Sequence, residues 1–225
     1  MARSHPWFIL ILALALFMTG CASTAPVGHE PRNLSELKAE IYAYVDSGRY
    51  NADLTAVASQ ARAWIEERAG RKQPGEKLAV VLDIDETVLS NLPEMRRIDL
   101  GYEPEGWEAW IKEAKGLPIE PVREVHRAAL SHGVAVFFIT ARWESDRAAT
   151  EQNLRAAGYD GYARVYCAPD GSKIASAEAF KTAQRKMITE QGYLIIANIG
   201  DQMSDLNGGY AERTFKLADP FYLIK

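Results

Sequence analysis

Cysteine is scarce. The chain carries two, Cys21 and Cys167. Two thiols close one bridge at most, so its stability has to come from a packed core. Histidine is sparse as well, at four residues, and none falls in a motif. An excess of positive charge is also lacking: 26 Lys and Arg face 30 Asp and Glu, for a net charge of −4. A nucleic-acid polymer is therefore not the expected partner. No apolar run reaches the ~20 residues needed to cross a bilayer. With 48% hydrophobic and 25% charged residues, the composition is that of an ordinary globular chain, without a disordered, collagenous or repeat signature.

The longest apolar run, Phe8 to Met18, follows Arg3 and His5. It is long enough for the apolar centre of a signal peptide and too short for a membrane span. Small residues then lead into Cys21, as Met18-Thr19-Gly20-Cys21. Two readings compete: an ordinary signal peptide cut near Ala22 or Ala25, or a bacterial lipobox, which the segment resembles. A lipobox implies that residues 1–20 are removed and that Cys21 is diacylated, anchoring the chain to a lipid bilayer. Ala22 stands where Asp usually marks retention in the inner membrane, so the resemblance implies the outer membrane, on either side. Residues 21–32, small, polar and proline-containing, read as a tether. Only Cys167 then remains, in the apolar run 163–167, and a buried structural thiol is expected.

From residue 33 the periodicity is helical. Leu34, Leu37, Ile41 and Val45 form one stripe, and Leu54, Val57, Ala61, Trp64 and Ile65 another. The break between them is expected at Tyr50–Asp53. Leu78 to Leu82 is a continuous apolar run, as a parallel strand buried on both faces requires. Helix is expected at 119–132, strand at 134–139, and a helix from a Ser145 cap to Ala157. A strand follows at 165–167, a helix at 174–191 and a strand at 194–199, with 214–217 a candidate fifth strand. Alternating strands and helices indicate an α/β fold with a mostly parallel sheet. In such sheets, chemistry collects beyond the carboxyl ends of the strands.

Those ends carry a distinctive set. The first strand runs into Asp83-Ile84-Asp85-Glu86-Thr87, the second into Thr140-Ala141-Arg142, and the last long one into Gly200-Asp201-Gln202-Met203-Ser204-Asp205. The helix before that last strand carries Lys181 and Arg185. Four neighbouring carboxylates cannot all stay ionised without a counter-charge. The donors are oxygens, which suits a hard cation such as Mg²⁺. Thr140 and Lys181 suit phosphoryl oxygens, and phosphoryl transfer needs mainly positioning and charge neutralisation. Taken singly, Asp83-x-Asp85 reads as a turn or a cap, and Lys181 as a solvated helix residue. The segment 201–207 faintly resembles a calcium loop, without its glycine or its closing glutamate.

Together, DIDETVLSN (83–91), FFITAR (137–142), FKTAQR (180–185), GDQMSDL (200–206) and the tail KLADPFYLIK resemble the haloacid-dehalogenase superfamily. The resemblance is to its acid phosphatase subfamily IIIB, which includes bacterial class C lipoproteins and plant storage proteins, and it extends over about 33–225. It implies a Rossmann-like parallel sheet with helices on both faces. The core would be about 76–90 and 119–225, with a small helical appendage from 33–70 and 91–118. By motif, Asp83 would be the nucleophile and Asp85 the general acid and base. Mg²⁺ would be held by Asp83, the Asp85 backbone carbonyl, Asp201 and Asp205. Thr140 and Lys181 would bind the phosphoryl group, supported by Arg142 and Arg185. The activity implied is hydrolysis of small organic phosphomonoesters, nucleoside monophosphates among them, through an aspartyl-phosphate. A phosphotransferase and a non-catalytic storage lipoprotein are the alternatives. Within the long insert, Trp107 and Trp110, with Phe221 or Tyr222 from the tail, either pack the appendage or stack on substrate. A homodimer is left open.

Overall fold

The computed structural model describes residues 31–171 and 175–224. The expected signal peptide, Cys21 and most of the expected tether lie outside the described residues. Among the described residues, no helix is long and apolar enough to cross a membrane.

The chain opens with two helices, α1 (Leu34–Asp46) and α2 (Arg49–Gly70). The break between them is at Gly48, not at Tyr50–Asp53. Gly48 takes φ 79, a left-handed conformation open to glycine at no steric cost. Tyr50 lies inside α2 and is buried. Next come β1 (Lys77–Leu82), the short β2 (Leu89–Ser90), α3 (Leu92–Arg97), α4 (Pro104–Glu113) and β3 (Leu117–Pro118). The remainder alternates: α5 (Glu120–Ser131), β4 (Ala135–Trp143), α6 (Arg147–Ala156), β5 (Arg164–Ala168), α7 (Ala177–Glu190), β6 (Tyr193–Gly200), α8 (Met203–Leu206) and β7 (Thr214–Lys216). Ser145 does not cap α6. It sits in a 3-10 turn over Glu144–Asp146, and its N–H donates to Asp170 Oδ1 at 2.9 Å. The cap of α7 is Ser176, whose Oγ accepts from Ala179 N at 3.0 Å.

Five strands form a parallel sheet in the order β5-β4-β1-β6-β7. Its central strand β1 is apolar on both sides, and the two sides serve different layers. Leu78, Val80 and Leu82 face a cluster with Ile65, Val122 and Phe138, whereas Ala79 and Val81 face one with Phe180 and Ile188. Helices α2 and α5 therefore cover one face and α7 the other. This gives the expected α/β architecture.

Helix α2 departs from the expected appendage over 33–70. Tyr50, Leu54, Ala58, Ala61 and Ile65 on α2 are all buried in the main core, and Trp64 Nε1 donates to Ile196 O at 2.7 Å. A helix rich in alanine packs close to the sheet because its apolar face is thin. The appendage is formed by α1, α3 and α4 instead. Helix α1 has no buried residue and is tied to α3 and the residues after it by Lys38–Asp99 and Arg96–Asp46 ion pairs. The antiparallel β2–β3 ribbon closes the insert at its base.

Ile65→Ala should lower unfolding free energy by about 2–5 kcal/mol, as expected for emptying a fully buried site, and this can be read from urea denaturation. Leu34→Ala, on the exposed α1, should stay within about 0.5 kcal/mol of the parent. Equal small effects would mean that α2 is not a core helix.

Candidate active site

Strands β1 and β6 are neighbours, so their carboxyl ends lie side by side. Asp83 follows Leu82, and its backbone N–H donates to Ile199 O at 3.0 Å. Asp201 follows Gly200 on the adjacent strand. Helix α8 then returns Asp205 to the same spot. Its entry is a capping box: Gln202 N donates to Asp205 Oδ2 at 2.8 Å. Gly200 makes this return possible, because a Cβ there would collide with the Asp205 side chain. One carboxylate oxygen from each of Asp83, Asp201 and Asp205 falls within 4.8 Å of the others, and all three residues are buried.

One cation enters this cluster from the other face of the sheet. Phe180 and Ile188 seat α7 in the apolar layer, and this aims Lys181 at the strand ends. Lys181 Nζ bonds to Asp83 Oδ1 and, at 2.5 Å, to Asp205 Oδ1. Burial alone would lower the Lys181 ammonium, but the two carboxylates hold it above the ordinary lysine range. One ammonium leaves three carboxylates in excess by two negative charges. Burial, and then the neighbouring carboxylates of Asp205 and Asp201, push Asp83 well above the ordinary range in spite of Lys181. Burial, then Asp205 and Asp219, raise Asp201 to about 7.

Asp85 has a separate environment. Its carboxylate takes no part in the three-oxygen cluster. Arg142 Nη2 donates to Oδ1 at 2.6 Å and Arg142 Nε to Oδ2 at 3.1 Å, while Asn91 Nδ2 donates to Oδ1 at 2.9 Å. Burial would raise this carboxyl, yet Arg142 and Asn91 hold it below the ordinary range. Arg142 Nη1 also reaches Thr150 Oγ1 at 3.3 Å. Thr140 is fully buried behind this wall, and its Oγ1 accepts from Arg142 N at 3.1 Å. Arg185 lies beneath the site, where Nη1 donates to Asp205 O at 2.5 Å and Nε to Gly209 O at 3.0 Å.

These groups open into a cavity of about 640 Å³. Asp83, Asp85, Arg142, Lys181, Asp201 and Asp205 lie at its base, and Met95, Ile98, Trp107, Phe221 and Tyr222 form apolar walls. Trp107 and Tyr222 thus line the space above the carboxylates. Trp110 does not line it: its indole is turned to Asn91, with Nε1 donating to Oδ1 at 2.8 Å. Several contributors escape sequence reading. Glu86 is fully buried at φ 52 and accepts from both Asn91 N at 2.6 Å and Asn91 Nδ2 at 2.9 Å. Gln202 Nε2 joins Asp201 Oδ2 at 2.8 Å to Asp219 Oδ2 at 2.5 Å. Glu86 and Gln202 fall inside motifs. Asn91 closes the first motif and Asp219 lies in the family-like tail, but neither carries a signal for the contact it makes.

A family model, described as the HAD superfamily, subfamily IIIB (acid phosphatase), matches residues 18–225. The chain belongs to this family. Its members' activity class, hydrolysis of phosphoric monoesters, is therefore that of this phosphatase. It is 31% identical over 188 residues to the stem 28 kDa glycoprotein of Glycine max, covering 81% of this chain and 72% of that one. It is 30% identical over 148 residues to acid phosphatase 1 of Solanum lycopersicum, covering 64% and 58%. The class C acid phosphatase of Bacillus anthracis shares the fold, with a TM-score of 0.65 at 20% identity over 84% of this chain and 87% of that one. A second structure of that enzyme, with tungstate bound, gives 0.67 at 20% identity over 83% and 86%.

The donor set fits a divalent cation: all-oxygen, buried and two charges short of neutral. A proton on Asp201 competes with that cation. An unfolded aspartate titrates near 3.9, so the metal-free fold holds extra stability below that pH and loses it as pH rises through about 7. Mg²⁺ should therefore raise Tm more at pH 8 than at pH 5 in calorimetry. Equal increments at both pH values would contradict this competition.

Proposed function

We propose that this phosphatase is an Mg²⁺-dependent phosphomonoesterase acting on small organic phosphates through an aspartyl-phosphate on Asp83. The observation that carries the reading is the buried Asp83 at the end of the central strand, bound to Lys181 and ringed by two further carboxylates. Asp83, Asp201, Asp205 and the Asp85 backbone carbonyl would hold Mg²⁺, which would supply the charge that keeps these carboxylates ionised and draws a phosphoryl oxygen to the site. An Asp83 carboxylate oxygen attacks phosphorus as the bond to the leaving oxygen breaks. Asp85 delivers its proton to that oxygen, then takes one from the water that cleaves the acyl-phosphate, releasing inorganic phosphate and restoring Asp83. Lys181 bears on the transferring phosphoryl oxygens, and Thr140, buried behind Arg142, is assigned to them by its motif alone. The depressed Asp85 carboxyl holds its proton mainly in acid solution. Support also comes from the tungstate bound by the Bacillus anthracis relative, since tungstate is a phosphate-like oxyanion. The apolar walls with Trp107 and Tyr222 suit an aromatic or nucleoside leaving group, including that of a nucleoside monophosphate.

Hydrolysis of p-nitrophenyl phosphate should require Mg²⁺, stop with EDTA, and fall on the order of a thousandfold or more in Asp83→Asn. Retained turnover in a folded Asp83→Asn would remove the nucleophile assignment.

The chain is further proposed to be a lipoprotein acylated at Cys21, facing either side of an outer membrane. This rests on the apolar run ending at Gly20-Cys21. Labelling with a radioactive fatty acid in a bacterial host should mark the parent and not Cys21→Ala. Equal labelling of both would dismiss the anchor.

A further inference from the structure

Asp85 has two oxygens in unlike surroundings. Oδ1 receives Arg142 Nη2 at 2.6 Å, Asn91 Nδ2 at 2.9 Å and Arg142 Nε at 3.2 Å, whereas Oδ2 receives only that same Nε, at 3.1 Å. A carboxyl proton goes to the oxygen with fewer donors, so Oδ2 is the acid oxygen. Asn91 deepens this difference, because its amide adds a donor to Oδ1 from outside the guanidinium. Without that amide, Arg142 alone would hold the carboxylate, from one side.

Asn91 is fully buried, and each of its polar atoms is committed. Nδ2 has two hydrogens, one pointed at Asp85 Oδ1 and one at Glu86 Oε2, both at 2.9 Å. Its backbone N–H donates to Glu86 Oε1 at 2.6 Å. Oδ1 accepts from Trp110 Nε1 at 2.8 Å. An indole N–H can only donate, and the Asp85 oxygen that faces Arg142 Nη2 can only accept. The amide therefore has one permitted orientation, with oxygen toward Trp110 and nitrogen toward the carboxylates. Glu86 anchors Asn91 from below, and Trp110 on α4 fixes it from the side of the insert.

We propose that Asn91 is a positioning residue for proton transfer, holding Asp85 so that Oδ2 faces the leaving oxygen, and that Trp110 locks the Asn91 amide. The inference rests on the reading of Asp85 as general acid. It gives Trp110 a task other than stacking, and it makes the insert a working part of the proton-transfer apparatus.

The test compares two leaving groups of the same ring shape. p-Nitrophenolate departs without a proton, whereas phenolate needs one far more. kcat/KM reports every step through leaving-group departure, so it is the proper readout. In the full-length protein, Asp85→Asn should lower kcat/KM more for phenyl phosphate than for p-nitrophenyl phosphate. Asn91→Leu should copy that selectivity, losing roughly tenfold to a hundredfold on phenyl phosphate and much less on p-nitrophenyl phosphate. Its inhibition constant for inorganic phosphate should stay unchanged. Trp110→Phe should show a weaker loss of the same pattern, and that loss should vanish in the Asn91→Leu background. Equal losses on both substrates, or a matching rise in the phosphate inhibition constant, would overturn the proposal and make Asn91 merely structural. If Asn91→Leu does not fold, Trp110→Phe decides alone: a selective loss supports the lock, and an unselective one or none refutes it. If Asp85→Asn itself shows no selectivity, the acid role falls and this inference with it. A selective Asp85→Asn beside an unselective Asn91→Leu removes this inference only.

Discussion

Three carboxylates at the edge of one sheet cannot share a buried space unless positive charge comes with them. Lys181 supplies one such charge and binds Asp83 and Asp205 together. Much of the architecture serves this contact. The apolar layer under α7 sets the direction of Lys181, the parallel register of β1 against β6 sets Asp83 beside Asp201, and the bare Gly200 lets α8 bring Asp205 back. The remaining negative charge gives the site its affinity for a divalent cation and for a phosphoryl group that comes with one.

The two aspartates of the first motif stand two residues apart and live in different electrostatic surroundings. Asp83 faces carboxylates and is pushed up; Asp85 faces Arg142 and Asn91 and is held down. Similar carboxyl groups acquire different properties by environment alone, and under the proposed mechanism that division would let one loop hold both an attacking group and a proton carrier.

Much of this was legible in the chain itself. The strands β1, β4 and β6 are built on the apolar runs 78–82, 135–139 and 194–197, and such runs have few alternatives to a sheet buried on both faces. Because function in parallel sheets collects at the carboxyl ends, Asp83, Asp201 and Lys181 could be brought together without coordinates. What escaped was non-local. The polar cluster Tyr50–Asp53 outweighed the lone Gly48 as a break signal. The thin alanine face of α2 gave no hint that it packs against α5 and the sheet. Asn91 closes the first motif, yet only the approach of Trp110 from α4 shows what its amide oxygen contacts. Trp110 itself illustrates a general difficulty: an aromatic ring near a site has an apolar face and a polar N–H, and sequence does not say which of them is used.

The site draws on the chain from Asp83 to Tyr222. Gln202 reaches forward to Asp219 and accepts from Ile224 N at 3.1 Å, and Tyr222 Oη lies 3.4 Å from Glu86 Oε2. During vectorial synthesis, a nascent polypeptide elongated only as far as β6 would own its first motif but neither the Asp205 turn nor the tail that braces it. The hydrolytic centre cannot assemble piecemeal on the ribosome. It comes into being only after the segment through Ile224 has been made.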